Sequence, residues 1–131
     1  MYVIDLFLNK HTFIWFINGD ESLPEQVRRD IKNINNKCFI SIASIWEIAI
    51  KLSLDKLRLQ SGFNKIADLL ADNDIEILPI IYPHIQVLLQ LEYHHCDPFD
   101  IIILAQGATE NLLILTKDEN FYKYRVKIKW G

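Results

Sequence analysis

Short apolar runs alternate with longer amphipathic stretches along the chain. The runs are YVIDLFL (2–8), KCFISI (37–42), IEILPI (75–80), LLILT (112–116) and VKIKW (126–130), each bounded by polar or turn-forming residues. Their length and composition predict β-strands. Between them lie SLPEQVRRDIKN (22–33), SIWEIAIKLSL (44–54), FNKIADLLA (63–71), PHIQVLLQL (83–91) and PFDIIILAQGATEN (98–111), with apolar residues at helical spacing. Strand and helix therefore alternate, which predicts an α/β fold with crossover connections and a mainly parallel sheet. Strands such as LLILT would be apolar throughout because both faces are covered. No repeat, low-complexity tract or linker interrupts the pattern, so residues 1–131 are expected to form a single domain.

Several helix starts are marked by side chains that satisfy free backbone N–H groups. Ser22 with Glu25, and Ser44 with Glu47, have the spacing of a capping box. Asp97 has the character of an N-cap, Pro98 of a first helical residue, and Asp100 of a first-turn acid facing the helix dipole.

Composition narrows the class without naming an activity. Half of the 131 residues are apolar, Gly and Pro number four each, and the formal net charge is −3. Such a chain packs a core, and its overall charge does not advertise nucleic-acid binding, although a local groove can differ from the whole. Two cysteines, Cys38 and Cys96, lie far apart and make no disulfide framework. No apolar run is long enough for a membrane span, and MYVIDLFLNKHTF lacks a basic leader region. The expectation is a soluble cytoplasmic protein with no membrane association.

The stretch HHCDPFDIIILAQG (94–107) concentrates potential chemistry. His94, His95, Cys96 and Asp97 are adjacent, whereas zinc ligands are spaced apart and draw on a second cluster, and His11 and His84 show no paired spacing. A Cys96 nucleophile with a neighbouring histidine base fails for a related reason, since adjacent side chains seldom reach each other and no Gly-rich oxyanion loop is visible. The carboxylates form a more coherent set. Glu47 follows the second predicted strand, Asp118 follows LLILT, and Asp100 opens a long helix, so at least two lie beyond strand C-terminal ends, where open α/β sheets build their sites. Converging carboxylates repel one another unless a cation such as Mg²⁺ or Mn²⁺ neutralises them. Each acid also has a structural explanation: Glu47 as a capping-box partner, Asp100 as a dipole acid, and Asp118 as a turn or cap residue.

Taken in order, NKHTFIWF, SIASIWEIAIKLSLDKL, HHCDPFDIIILAQG and LLILTKDENFYKY resemble the PIN-domain family, specifically its VapC-like bacterial toxins. The most specific segments are S-x-x-S-x-W-E-I-A-I-K (Ser41 to Lys51), H-x-D-P-F-D (His95 to Asp100) and the T-x-D turn (Thr116 to Asp118). The resemblance implies a three-layer α/β/α sandwich around a small parallel sheet. It also implies a metal-dependent endoribonuclease, in which acidic residues hold Mg²⁺ or Mn²⁺ that activates water against an RNA phosphodiester. Glu47, Asp100 and Asp118 match three of the family's acidic positions, and Asp97 matches a capping or supporting position. A cognate antitoxin and a homodimer are further implications.

The first acidic position departs from the family pattern. Where a segment like LLDTHTFLW is usual, this chain reads Leu8-Asn9-Lys10-His11-Thr12-Phe13-Ile14-Trp15, so Asn9 replaces the aspartate and Lys10 the threonine. Asn9 can offer a carbonyl oxygen but no charge for a divalent ion, and Lys10 can pair with the remaining acids and take the metal's electrostatic place. Weak or absent nuclease activity follows as an expectation, and the alternative to an RNA-cleaving enzyme is a PIN-fold protein with an impaired site that acts through protein or RNA binding. A rival alignment makes Asp5 the catalytic acid, but along an extended strand Asp5 and Asn9 would be ~13 Å apart. The gap-free alignment is the simpler. Ile101 stands where the family commonly has a basic or small polar residue. Lys117, Lys123, Arg125, Lys127 and Lys129 suit either a basic margin for RNA or a protected edge strand. Trp15, Phe16 and Trp46 suit either the core or an antitoxin groove, with the core the expectation for each, and Arg28 and Arg29 are expected on a solvated helix face.

Overall fold

The computed structural model describes residues 4–92 and 97–131, and His94, His95 and Cys96, rejected above as zinc ligands or nucleophile and base, lie outside the described residues. Five strands form one sheet: β1 (Asp5–Leu8), β2 (Lys37–Ser41), β3 (Ile75–Leu78), β4 (Leu113–Leu115) and β5 (Lys127–Lys129). Six α-helices connect or flank them: α1 (Lys10–Asn18), α2 (Glu25–Lys32), α3 (Ile42–Ser53), α4 (Ile66–Asp72), α5 (Tyr82–Leu88) and α6 (Pro98–Glu110). The strand order is β3-β2-β1-β4-β5 and every pairing is parallel. Each of the five predicted strands is present, shortened by one or more residues at its ends.

The sheet is coated on both faces, as an all-parallel sheet requires. Leu6, Leu8 and Ile40 pack with Phe13, Val27, Ile48 and Leu70 on one side. Phe7 and Ile114 pack with Ile101, Leu104 and Phe121 on the other. Alternate residues of β1 thus feed opposite layers, as strand geometry dictates. Helix α6 lies close against the sheet at Gly107, where an added Cβ would lie 2.8 Å from Ile114 Cδ1 and 3.8 Å from Phe7 Cδ2. A side chain there would force Ile114 to shift, so this glycine serves a close approach rather than a turn.

Helix α1 is absent from the pattern predicted above. Residues 13–17 are Phe-Ile-Trp-Phe-Ile, without the polar face that reveals an amphipathic helix. Its ends explain why it forms. Asn9 caps the N-terminus by accepting from Thr12 N, and Gly19 closes the C-terminus in a left-handed conformation, φ 63°. Behind it, Asp20 N donates to Trp15 O at 2.9 Å, satisfying a terminal carbonyl.

Two predicted caps are corrected. The capping residue of α3 is Ser41, whose hydroxyl accepts from Ala43 N at 3.0 Å, so strand β2 runs directly into the helix. Ser44 is buried inside α3 and Glu47 is released from capping duty. Helix α2 begins after Pro24, and Ser22 instead donates its N–H to Asp20 in the preceding turn. The Asp97 cap of α6 is as expected, with its carboxylate accepting from Asp100 N at 2.8 Å. His84 likewise has a structural post: its Nδ1 accepts from Ile81 N at 3.1 Å at the start of α5.

The register aligns Leu8 with Ile40 and with Leu115, so the next residues, Asn9, Ser41 and Thr116, form a buried polar row along the C-terminal edge. Thr12 locks that row to α1, its hydroxyl lying 2.7 Å from both Asn9 Oδ1 and Leu115 O. Thr12→Val keeps the shape and removes the donor. It should lower stability by about 1–3 kcal/mol in urea unfolding, and a change below about 0.5 kcal/mol would mean that the hydroxyl is dispensable.

Candidate functional site

The sheet order reverses direction at β1, which has β2 on one side and β4 on the other. Chain segments leaving β1 and β4 diverge there and leave a crevice at the strand C-terminal ends, the usual location of a site in such sheets. A cleft of about 460 Å³ opens at this point, lined by residues that include Asn9, Lys10, His11, Trp15, Glu47, Asp97, Asp100, Lys117 and Asp118. Four different connections supply it: the β1–α1 junction, helix α3, the start of α6 and the loop after β4.

Glu47, Asp100 and Asp118 are brought together on this cleft, together with Asp97 and Glu119. Asp118 also caps a short 3₁₀ turn over Glu119–Lys123, with Oδ1 accepting from Asn120 N at 2.9 Å. Asp97 and Asp100 likewise serve the first turn of α6 while facing the cleft. The structural and site roles of these three acids therefore coexist. Asp5 is not brought to the cleft. It begins β1 at the opposite edge, in register with Lys37 and beside Asn111 and Lys127, which removes the register in which it would complete the acidic set.

Asn9 occupies the end of β1, but its polar atoms are committed. Oδ1 lies 3.0 Å from Thr12 N and 2.7 Å from Thr12 Oγ1, and Nδ2 donates to Thr116 Oγ1 at 2.6 Å. Thr116 Oγ1 in turn accepts from Asp118 N at 3.1 Å, so one amide side chain orders both walls of the crevice. Lys10 reaches across the cleft to Glu47, Nζ to Oε2 at 2.8 Å, with both side chains largely buried.

Electrostatic crowding is visible at Asp100, whose carboxyl is pushed up to about 7, first by burial and then by the carboxylates of Asp97, Asp118 and Glu47. Lys10 opposes this shift. His11, at the mouth, is held below its ordinary value, first by burial and next by the Lys10 ammonium.

A divalent ion would need several of these oxygens to converge. The oxygen donors are of the right kind for Mg²⁺ or Mn²⁺, but Glu47 is held by an ammonium and Asn9 contributes no charge. Among the described residues no group of three or more His, Cys, Asp or Glu side chains stands close enough to hold an ion. As they stand, the residues do not fit the metal.

Several cleft residues were not singled out by sequence as site residues. His11 and Trp15 line it because they are four apart on α1, while Phe13 and Phe16 of the same helix are buried. Trp46 is corrected from core to surface: it is 62% exposed and meets Phe99 edge-on, with ring centroids 5.2 Å apart. Of the basic residues near the C-terminus, only Lys117 lines the cleft, since Lys129 pairs with Asp30 at 2.8 Å and Lys127 lies toward the far edge of the sheet. Arg28 is drawn over the Phe16 ring, whereas Arg29 is exposed as expected.

The parallel sheet in this order, with acids gathered at its switch point, defines a small α/β domain built around a polar crevice. The chain belongs to the PIN domain family, whose model matches residues 6–127. It is similar to a chain in the crystal structure of VapBC2 from Rickettsia felis bound to a DNA fragment from their promoter, with a TM-score of 0.75 and 16% identity over 98% of this chain and 100% of that one. A chain in the structure of VapBC-1 from nontypeable Haemophilus influenzae gives a TM-score of 0.71 at 12% identity, covering 96% of this chain and 97% of that one. A chain in the structure of FitAcB from Neisseria gonorrhoeae gives 0.64 at 16% identity, covering 94% and 95%. At such identities the likeness is one of fold. No curated protein sequence matches the chain.

Because the folded carboxyl of Asp100 lies above its ordinary value of 3.8, its contribution to stability is full below that value and is lost as pH rises through about 7. Asp100→Asn removes this dependence. At about pH 8.5 the variant should exceed the wild type in stability by about 1–2 kcal/mol, a figure reduced for solvent screening of a partly exposed group, and the two should converge near pH 4. Parallel denaturation curves across that range check this, and a gap that does not narrow on acidification would contradict it.

Proposed function

We propose that the protein is a PIN-domain member of the VapC-like toxin type whose cleft receives RNA, and whose ribonuclease activity is attenuated by its own Lys10. The observation that carries this reading is the 2.8 Å ion pair between Lys10 and Glu47 inside the carboxylate cleft. An acidic cleft repels a phosphodiester unless a cation intervenes. Here the cleft brings five carboxylates, Glu47, Asp97, Asp100, Asp118 and Glu119, against the ammonium groups of Lys10 and Lys117. Lys10 neutralises an acid that would otherwise help hold Mg²⁺ or Mn²⁺, and Asn9 withholds the charge that an aspartate would supply at the end of β1. Lys10 and Lys117 then provide positive charge to which an RNA phosphate can bind. Asp100 and Asp118 are the acids that would be left to hold an ion and orient water once Lys10 no longer occupied the cleft, and Asp97 holds the first turn on which Asp100 stands.

The fold likeness to chains from VapBC and FitAB assemblies supports an antitoxin protein as the partner of this chain. No helix among the described residues is long and apolar enough to cross a membrane, which suits a role on RNA in the cytoplasm.

The decisive variant is Asn9→Asp combined with Lys10→Thr. In the presence of Mn²⁺ it should cleave single-stranded RNA faster than the wild type, by on the order of tenfold or more given what supporting groups contribute to metal affinity. Chelation with EDTA, or a further Asp100→Ala or Asp118→Ala change, should abolish the gain. Cleavage by the wild type equal to that of the double variant would show that Lys10 does not restrain the site.

A further inference from the structure

We propose that His11 and Trp15, backed by Trp130, form a stacking shelf for one base of a single-stranded RNA beside the carboxylate cleft. This rests on the reading of the cleft as an RNA site. The three rings make a continuous row: the His11 and Trp15 centroids are 5.8 Å apart with planes at 44°, and those of Trp15 and Trp130 are 5.9 Å apart at 54°. Helix α1 sorts its rings by position. Phe13 and Phe16 turn into the core and are buried, whereas His11 and Trp15, one turn apart, turn to the cleft.

Trp15 is only half-buried, with Trp15 and Trp130 packed against the main core from its margin. That packing fixes the indole and leaves part of it facing the cleft, so little side-chain freedom remains to be lost on binding. His11 is exposed at the mouth. Lys117 lies on the same cleft, exposed, where it can meet the backbone phosphate of a stacked nucleotide. Rings without a fork of directed donors recognise the π-face that every base has, so the shelf holds single strands with little sequence preference. A base paired in a duplex presents no free face and is excluded.

The test uses a short 2′-O-methyl oligoribonucleotide, which cannot be cleaved through its 2′ oxygen, and the same oligomer with abasic sugars. Both are titrated in EDTA and followed by tryptophan fluorescence and anisotropy. The intact oligomer should quench the fluorescence and bind about tenfold more tightly than the abasic one. His11→Ala and Trp15→Leu should each reduce that preference while leaving abasic binding unchanged, whereas Lys117→Ala should weaken both oligomers alike. Trp15 also supports the core, so His11→Ala, an exposed position, decides the matter if Trp15→Leu does not fold. Equal binding of intact and abasic oligomers overturns the shelf and leaves the cleft as an RNA backbone site. Failure of both oligomers to bind overturns the RNA site and the shelf with it.

Discussion

The side chain of Asn9 is the tie on which the rest of the crevice depends. It starts α1 through Thr12, and it holds the end of β4 through Thr116, which in turn fixes the backbone of Asp118. In a parallel sheet the two segments diverging from a switch point have no shared ladder above the last strand residue. A buried amide with donor and acceptor both satisfied replaces that ladder. An aspartate at this position could accept the same bonds from Thr12 and could take a proton donor from Thr116 by rotation of one hydroxyl. The fold is thus compatible with either residue, and what the asparagine changes is charge.

That change is compounded one residue later. Lys10 begins α1 directly after the cap, so its side chain starts from the floor of the cleft and meets Glu47 of α3. Helix α1, which brings no carboxylate to the cleft, is thereby joined by a short ion pair to the acid that α3 places there. The crowding that remains falls on Asp100, where burial and neighbouring carboxylates favour the protonated form. The cleft is therefore partly neutralised from within, by one ammonium and by one proton that is readily held near neutral pH.

Much of this architecture was legible from residue patterns. Period-two and uniformly apolar runs located all five strands, because each is bounded by polar or turn residues. The Asp97-Pro98 start of α6 was equally clear, since a cap and a proline act locally. Helix α1 was hidden because its centre is apolar on all sides, and only Asn9 and Gly19 mark its ends. The start of α3 was misplaced because Ser41 and Ser44 both suit a cap, and the choice is made by where β2 ends. Which residue would meet Lys10 could not be read from the chain, because the ion pair joins residues 37 positions apart. Trp15 was expected in the core, and the structure gives it two roles, since a ring can both support a core and face a cleft.

The all-parallel sheet also sets an order of assembly. Central strand β1 finds β2 within the first 41 residues, but its other neighbour, β4, begins at Leu113. During synthesis from the N-terminus, the β4-facing edge of β1 stays open until most of the chain has emerged, and closing so long a loop is slow. Thr116 and Asp118 arrive with that closure, so the crevice comes into being only at the end. A ribosome-bound chain lacking its last portion can carry a partly paired β1 and a formed α3, yet it holds no cleft. Whatever chemistry the cleft carries, a nascent copy without β4 cannot perform it.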